Sequence, residues 1–235
     1  MIEAYLAMTP AAVKVPIMLE EVGETYNFVP VNVGKGDQHR PEFRVISPNG
    51  KIPAIVDHAP PDGGAPMTLF ESAAILLYLA DKHDCLLSRE QRGRAEALQW
   101  LFWQAAGLSP MSGQLAHFTL FAPEDGRAYG LQRYHREVNR LYGVLNQQLS
   151  QKPFLAGEYS IADIAAYPWA RLHAGLNQDI TPFPHLQRWL KEIAARPAVK
   201  QAYAVTRENA PDVESDSPAF RANMFGMDAA AFGLA

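Results

Sequence analysis

A proline opens an apolar strand pattern in the sequence NGKIPAIVDH at residues 49–58. Proline has no backbone N–H, so it weakens a strand that must pair on both sides. A cis bond between Ile52 and Pro53 would bend the backbone at this point. The N–H and C=O groups of Ile52 would then face outward, free to pair with an extended peptide.

Glu71 and Ser72 form a second candidate for ligand binding, after Ile52 and Pro53. They come directly before a helical pattern at residues 73–80. Serine is a preferred N-cap residue, and the free N–H groups of a helix N-terminus bind carboxylates. The carboxylate of Glu71 could hold an ammonium group beside them. Ordinary helix capping explains such a pair on its own. Combined with Ile52 and Pro53, the pair suits the α-amino acid head of a short peptide.

Cysteine is missing from the place where a thiol–disulfide oxidoreductase carries it. That place, after the first strand, reads Thr9-Pro10-Ala11-Ala12. Protein-thiol chemistry at the start of the first helix is therefore excluded. The single cysteine, Cys85, is interpreted as a small apolar residue that fills space between two domains.

Other common site patterns are also missing. The chain has no GxxxxGK[ST] loop, and Gly34-Lys35-Gly36 does not satisfy the dinucleotide-binding fingerprint. The seven histidines show no metal-ligand spacing, so we expect no metal and interpret His39, His58 and His117 as surface or capping residues.

The bulk composition is that of an ordinary globular protein. The chain has 235 residues, of which 48% are hydrophobic and 20% charged, with a net charge of −4. This balance favours neither nucleic acid nor an anionic membrane surface as a partner. The start of the chain lacks the pattern of a secretory signal, and no apolar run is long enough for a membrane span. One cysteine cannot form an internal disulfide, which favours a cytoplasmic location.

The elements that must hold these residues divide the chain in two. Strand patterns at 2–6, 26–33, 54–57 and 67–70 alternate with helical patterns at 13–22 and 73–80, which predicts a mixed sheet with helices on its faces. After Cys85, helical patterns follow at 91–107, 129–149, from 160 and at 185–195.

The sequence thus predicts an α/β domain at residues 1–82 and an all-helical domain at residues 89–205, with the active cleft between them. Residues 206–235 are predicted to form a C-terminal tail, polar and mobile at first. Its apolar end, Met224 to Phe232, is expected to dock on the body or on a partner. The aromatic cluster of Trp100, Phe102 and Trp103 is interpreted as inter-domain core.

The motifs NGKIPA (49–54) and LFESAAILLYL (69–79) resemble the glutathione-site motifs of cytosolic glutathione transferases. The motif SIADIA (160–165) resembles the capping-box helix of their second domain. The stretches VGKGDQ (33–38), LQWLFWQ (98–104) and QRY (132–134) resemble the nu class, a bacterial group related to the yeast nitrogen-regulator fold. The resemblance covers about residues 1–205 and implies a thioredoxin-like N-terminal domain followed by an all-helical one.

The resemblance also implies a set of glutathione-binding residues. These are Ala11, Gln38, Lys51, Ile52, Pro53, Glu71, Ser72 and Arg133. Pro53 would be cis, and Ile52 would pair with the cysteinyl backbone of glutathione. Glu71 and Ser72 would hold the γ-glutamyl head, Gln38 would lie near the glycyl end, and Arg133 would reach the ligand from the helical domain.

Thr9 is implied to be the catalytic residue, contacting the glutathione sulfur. Its hydroxyl could donate to that sulfur and favour the reactive thiolate. Relatives commonly carry Asn two residues later, where this chain has Ala11. The loss of that amide predicts either lower activity or a larger role for Thr9 and nearby backbone amides.

Known nu-class members are glutathione-dependent disulfide-bond reductases, so the resemblance implies that glutathione acts as co-substrate on small disulfides, in a homodimer. The thiolate of bound glutathione would be the nucleophile. Two alternatives use the same thiolate: conjugation of glutathione to electrophiles and reduction of hydroperoxides. A third, from another class, is a glutathione-binding regulatory protein without turnover.

Overall fold

The structure is a computed structural model that describes residues 1–213 and 217–226. A four-stranded sheet in the order β2-β1-β3-β4 forms the first part of the chain. Strands β1 and β2 are parallel, and the other neighbours are antiparallel. The strands are β1 (Ile2–Leu6), β2 (Tyr26–Pro30), β3 (Ala54–Asp57) and β4 (Met67–Phe70). The predicted mixed sheet is confirmed, with β2 at an edge.

Helices make up the rest of the described chain. They are α1 (Lys14–Val22), α2 (Pro41–Ile46), α3 (Ser72–His83), α4 (Gln91–Trp103), α5 (Ser109–Leu120), α6 (Glu124–Gln151), α7 (Ile161–Arg171), α8 (Pro184–Ala195), α9 (Pro197–Asn209) and α10 (Pro218–Phe225). Short 3-10 helices lie at Asp37–His39 and Leu172–Leu176, and a π-helical segment, Gln104–Leu108, joins α4 to α5. An α/β part followed by an all-helical part is the predicted fold class, which is confirmed.

Helix α1 begins at Lys14, so Pro16 lies in its first turn. A proline is tolerated there because the N–H groups of the first turn have no partner within the helix. Residues 14–19 of this helix are all buried. Helix α1 packs against α3 and also against α7 and α9 of the helical part.

The start of α3 differs from the prediction by one residue. Ser72 is the first helical residue, and Glu71 occupies the N-cap position with φ +69° and ψ +111°. A positive φ is unusual for a residue other than glycine and carries backbone strain. The Ser72 hydroxyl therefore makes no capping hydrogen bond and is available to other groups.

Helix α7 has the predicted capping box. The Ser160 hydroxyl accepts from the N–H of Ala162, and the Asp163 carboxylate accepts from the N–H of Ser160. Asp163 also accepts from Leu155 N at 3.0 Å and from Trp189 Nε1 at 2.8 Å. This fully buried carboxylate thus joins α7 to α8 and to the preceding loop.

The interpretation of the aromatic cluster is wrong for Phe102, which is 61% exposed. Trp100 and Trp103 do pack against the main core, with ring centroids 5.2 Å apart. The core-facing side of α4 carries Ala97 and Leu101. Phe102 follows Leu101 by about 100° around the helix, which turns its ring toward solvent.

The expectation of a mobile stretch from residue 206 onward is wrong for residues 206–209. Helix α9 continues to Asn209 with Thr206 fully buried, and α10 docks on the body as expected for Met224 and Phe225. Phe220, 5% exposed, enters a second small core of Val31, Val33, Phe43 and Ala54. The rest of the predicted apolar end, 227–232, lies outside the described residues. The domain boundaries stay a prediction.

Candidate active site

Strand register brings most of the predicted site residues to one edge of the sheet. Tyr5 pairs with Ala54, and Ala54 pairs with Phe70. The segments that follow β1, precede β3 and follow β4 therefore meet side by side. These segments carry Thr9 and Ala11, then Lys51, Ile52 and Pro53, then Glu71 and Ser72.

The backbone at Ile52 is open, as predicted. The Ile52–Pro53 peptide bond is cis. Among the described residues, neither the N–H nor the C=O of Ile52 has a hydrogen-bond partner. Ile52 is half-buried and the side chain of Lys51 is exposed. A peptide backbone could therefore pair with Ile52 without displacing any bond seen here.

A tight turn supports that open segment. The Ser47 hydroxyl donates to the carbonyl of Lys51 at 2.8 Å, and Gly50 N donates to the Ser47 carbonyl at 2.8 Å. Gly50 has φ +61°, and a Cβ added there would lie 3.3 Å from the carbonyl oxygen of Gln38. Glycine is therefore required for the backbone of the turn to approach Gln38.

The α3 N-terminus provides a group of hydrogen-bond donors at the same edge. The backbone carbonyl of Glu71 accepts from Ile75 N at 2.9 Å, which holds the strained Glu71 in place. The Glu71 side chain is exposed and Ser72 is half-buried. The Ser72 Oγ accepts from Lys14 Nζ at 3.3 Å, so the first turns of α1 and α3 are joined.

Lys14 is 1% exposed, which is unusual for a lysine. Burial lowers its pKa to about 7, and the nearby Glu71 carboxylate partly opposes this shift. Sequence reasoning missed this residue. The signal available was one lysine inside the otherwise apolar stretch 11–19.

Thr9 lies in the turn after β1. Its Oγ1 accepts from Ala12 N at 3.2 Å, and its carbonyl accepts from Val13 N at 3.1 Å. The hydroxyl proton has no acceptor among the described residues, so it can be donated to a ligand. Ala11 is half-buried and offers no polar side-chain group at this place.

Gln38 is buried and contacts both the sheet side of the site and the C-terminal helix. Its Nε2 donates to the carbonyls of Val33 and Asn223, both at 3.3 Å. Its Oε1 is buried without a partner among the described residues. His39 lies beside it, half-buried, with Nε2 2.8 Å from the carbonyl of Asn223 in the last turn of α10, so it is a capping residue as expected. Sequence reasoning gave no role to Asn223.

Arg133 is the predicted residue that the structure does not bring to this edge. It is exposed on α6. It lines a separate groove with Met111, Tyr129, Gln132, Tyr134, Arg136, Glu137 and Arg140. None of the other predicted site residues lines that groove.

His58 and His117 have different surroundings. His58 is exposed, as expected, with Nε2 3.3 Å from Glu3 Oε2. His117 instead packs in an aromatic group, with its ring 4.6 Å from that of Phe225.

Cys85 is far from the open edge. It follows α3 at its C-terminal end, whereas Ser72 begins that helix. Twelve helical residues span about 18 Å. Cys85 is half-buried, and burial raises the pKa of its thiol, which disfavours the thiolate.

Within residues 1–213 and 217–226, no three His, Cys, Asp or Glu side chains are grouped as a metal site would require. No helix there has the length and apolar character needed to cross a bilayer.

Both halves of the chain match models of one protein family. The model of the glutathione S-transferase N-terminal domain matches residues 4–81, and that of the C-terminal domain matches residues 108–197. The disulfide-bond oxidoreductase YfcG of Escherichia coli K12 is 50% identical over 218 residues, which are 92% of this chain and 100% of that protein.

Solved structures agree with these matches. A glutathione transferase of Burkholderia graminis, solved with two glutathione molecules bound per subunit, is 45% identical with a TM-score of 0.82 and 86% of each chain covered. A glutathione transferase of Pseudomonas putida, solved with one glutathione disulfide bound per subunit, is 43% identical with a TM-score of 0.79. The match covers 86% of this chain and 90% of that one. By both domain models and by these identities, the chain belongs to the glutathione S-transferase family.

Proposed function

We propose that this protein is a glutathione-dependent disulfide-bond oxidoreductase of the nu-class type. The observation that carries the proposal is the open backbone of Ile52 beside the α3 N-terminus, at one sheet edge without a cysteine. An extended γ-glutamyl peptide fits this arrangement: its backbone pairs with Ile52, its carboxylate meets Ser72 and its ammonium group meets Glu71. The relatives with bound glutathione or glutathione disulfide support the same choice of ligand.

The nucleophile in this proposal belongs to the ligand. Cys85 lies at the opposite end of α3 from Ser72, and its raised pKa keeps it as an unreactive thiol at neutral pH. The thiolate of bound glutathione therefore supplies the attacking sulfur.

The reaction then proceeds in two exchanges. The glutathione thiolate attacks one sulfur of a small disulfide, forming a mixed disulfide and releasing one thiolate, which takes up a proton from water. A second glutathione thiolate attacks the glutathione sulfur of that mixed disulfide and releases the second thiolate. Two glutathiones are oxidised to one glutathione disulfide, and one substrate disulfide is reduced to two thiols.

Thr9 is proposed as the catalytic residue that stabilises the bound thiolate. Its oxygen is held by the hydrogen bond from Ala12 N, and its proton has no acceptor among the described residues. A donor held in place before the reaction stabilises the charge without reorganising the site. Gln38 and Lys51 are proposed to bind the glycyl end, next to the turn at Gly50.

The test is glutathione-dependent reduction of a small dialkyl disulfide, run beside conjugation to a reactive aryl halide. We expect strong reduction, weak conjugation, and loss of reduction in Thr9→Val. Conjugation that exceeds reduction would instead favour a transferase. Glutathione binding without turnover of either substrate would favour the regulatory alternative, for which Ala11 in place of Asn is the specific observation.

We further propose that Arg133 contacts the bound tripeptide in the assembled protein. Arg133→Gln should then raise the KM for glutathione, whereas Arg92→Gln, an exposed change on α4, should not. An unchanged KM in Arg133→Gln removes this residue from the site.

We propose a homodimer located in the cytoplasm. Exposed apolar side chains on the edge strand β4, Met67 and Phe70, support association between copies of the chain. A cytoplasmic pool of reduced glutathione would supply the reaction. Light scattering after size-exclusion chromatography should give about twice the 26.0 kDa chain mass, and fractionation of cells tests the location.

A further inference from the structure

The surroundings of the Lys14 side chain make its charged ammonium form unfavourable. It is the first residue of α1 and its side chain is buried. Its Nζ carries three N–H groups when charged, but only Ser72 Oγ, at 3.3 Å, accepts from it among the described residues. A buried ammonium with one neutral acceptor is poorly solvated.

The surroundings add two further positive contributions. Lys14 begins α1 and Ser72 begins α3, so the positive ends of both helix dipoles lie near Nζ. The group that opposes them is the Glu71 carboxylate. Helices α7 and α9 also pack against α1. Within the described residues they bring no further charged group that acts on Lys14.

The charged and neutral forms of Lys14 are consequently present in similar amounts near neutral pH. Burial lowers the pKa of Lys14 from 10.5 to about 7. A single new negative charge nearby is enough to change the balance, since an opposite charge within about 4–6 Å raises the pKa of a lysine. The open donors of the α3 first turn, next to Ser72 Oγ, are where such a charge would bind.

Resting on the glutathione site proposed above, we propose that Lys14 is a positioning residue that acts through Ser72. A ligand carboxylate that docks at the first turn of α3 is bound together with one proton, which Lys14 takes up. In the charged form Lys14 fixes the Ser72 hydroxyl as an acceptor of its N–H, so the Ser72 proton is directed to the carboxylate.

Whether ligand binding takes up or releases a proton depends on how much of Lys14 is already protonated in the free protein. Near pH 8 most molecules hold neutral Lys14, so binding should take up a large part of one proton per site, against much less at pH 6, where more of Lys14 is already charged. Above pH 7 the affinity should therefore weaken as pH rises, approaching about tenfold per pH unit.

Isothermal titration calorimetry measures this uptake directly. The full chain is titrated with S-methylglutathione, which has no thiol to ionise, at pH 6 and pH 8 in phosphate and in imidazole buffer. These buffers differ in ionisation enthalpy, so the difference between their observed heats gives the number of protons taken up. We expect greater proton uptake at pH 8 than at pH 6 in the wild type, and close to none at either pH in Lys14→Met.

The variants separate a charge role from a packing role. At pH 8, Lys14→Met should bind S-methylglutathione about tenfold more weakly than the wild type. The ratio of the two affinities should be larger at pH 6, where Lys14 of the wild type is charged. Lys14→Arg, a permanent cation, should bind without proton uptake at either pH. Lys191→Met, an exposed change on α8, should behave as the wild type.

Each failure has a distinct meaning. Wild-type protein that does not bind S-methylglutathione at either pH overturns the glutathione site, and the role of Lys14 with it. Binding without proton uptake, or uptake that persists in Lys14→Met, overturns the role of Lys14 and leaves the site intact. If Lys14→Met does not fold, the change in wild-type uptake between pH 6 and pH 8 decides the question alone.

Discussion

The backbone carbonyl of Asn223 accepts a hydrogen bond from Gln38 Nε2 at 3.3 Å, although 185 residues separate the two in the sequence. The side chain of Asn223 also donates to the Gly34 carbonyl at 2.7 Å. The C-terminal helix α10 thus holds both the loop before Gln38 and the Gln38 amide. A segment after the second domain contributes to the order of the proposed glycyl subsite in the first.

Removal of the Phe220 ring is expected to loosen this attachment. Phe220→Ala leaves a cavity beside Val33 and Phe43, where Phe-to-Ala changes cost about 3 kcal/mol when the ring is buried. Gln38 then loses the carbonyl that orients its Nε2. We expect the KM for glutathione to rise about threefold with kcat little changed, measured by steady-state disulfide reduction.

Phe225→Ala is the matched control on the same helix. Phe225 is 44% exposed, so its removal should have a smaller effect on both stability and KM. If amide hydrogen exchange shows α10 released in Phe220→Ala while the KM stays constant, α10 has no influence on glutathione binding.

The stability of the folded protein should depend on pH through Lys14. The folded protein releases the Lys14 proton near pH 7, whereas the unfolded chain keeps it up to about 10.5. The unfolded state binds more protons between these values, so wild-type stability rises with pH across that window. Any stability advantage of Lys14→Met should therefore shrink by about 1.4 kcal/mol per pH unit from pH 7 upward.

Urea unfolding at pH 7, 8 and 9 measures this difference, with Lys191→Met as the exposed-lysine control. A constant difference between Lys14→Met and wild type across the three pH values would mean that Lys14 is charged in the folded protein throughout.

Ala11 and Thr9 should together set the rate of disulfide reduction. Loss of a donor from an anion-stabilising site costs about 100-fold in rate, which is the expectation for Thr9→Val. Ala11→Asn supplies a second donor and should raise kcat/KM about tenfold. Thr9→Ser keeps the hydroxyl and should remain active. A rate unaffected by Thr9→Val would remove Thr9 from the mechanism.

Asp163 should be necessary for the fold and not for the chemistry. Its Oδ1 accepts from Leu155 N and Trp189 Nε1, and its Oδ2 accepts from Ser160 N. Asp163→Asn places an NH₂ group against N–H donors in a fully buried site, which should lower the free energy of unfolding by about 2–4 kcal/mol. Chemical denaturation measures the loss.

The exposed change Glu158→Gln, in the same loop region, is the control and should leave stability unchanged. If Asp163→Asn is as stable as the wild type, the capping box contributes little to the packing of α7 against α8.

Local patterns in the sequence were sufficient to predict much of the fold. Short apolar stretches bounded by turn residues placed β1, β3 and β4 correctly. The serine–aspartate spacing at 160 and 163 predicted the α7 capping box because the two residues meet within one helical turn. These features depend only on neighbours in the chain.

Only part of the candidate active site could be predicted from such local patterns. The unusual place of Pro53 indicated an open backbone at Ile52, and the structure agrees. The start of α3 was displaced by one residue because a non-glycine residue with positive φ, Glu71, leaves no reliable sequence signal. The orientation of Phe102 also depended on which face of α4 the rest of the protein covers.

By itself the sequence determined the two-part fold, the open backbone at Ile52 and the absence of a cysteine at the site. Each of these depends on residue types within a few positions. Only the tertiary structure decided that Lys14 is buried against Ser72 and that Asn223 reaches Gln38. Those contacts join residues 58 and 185 positions apart, and burial and electrostatic environment are properties of the packed molecule.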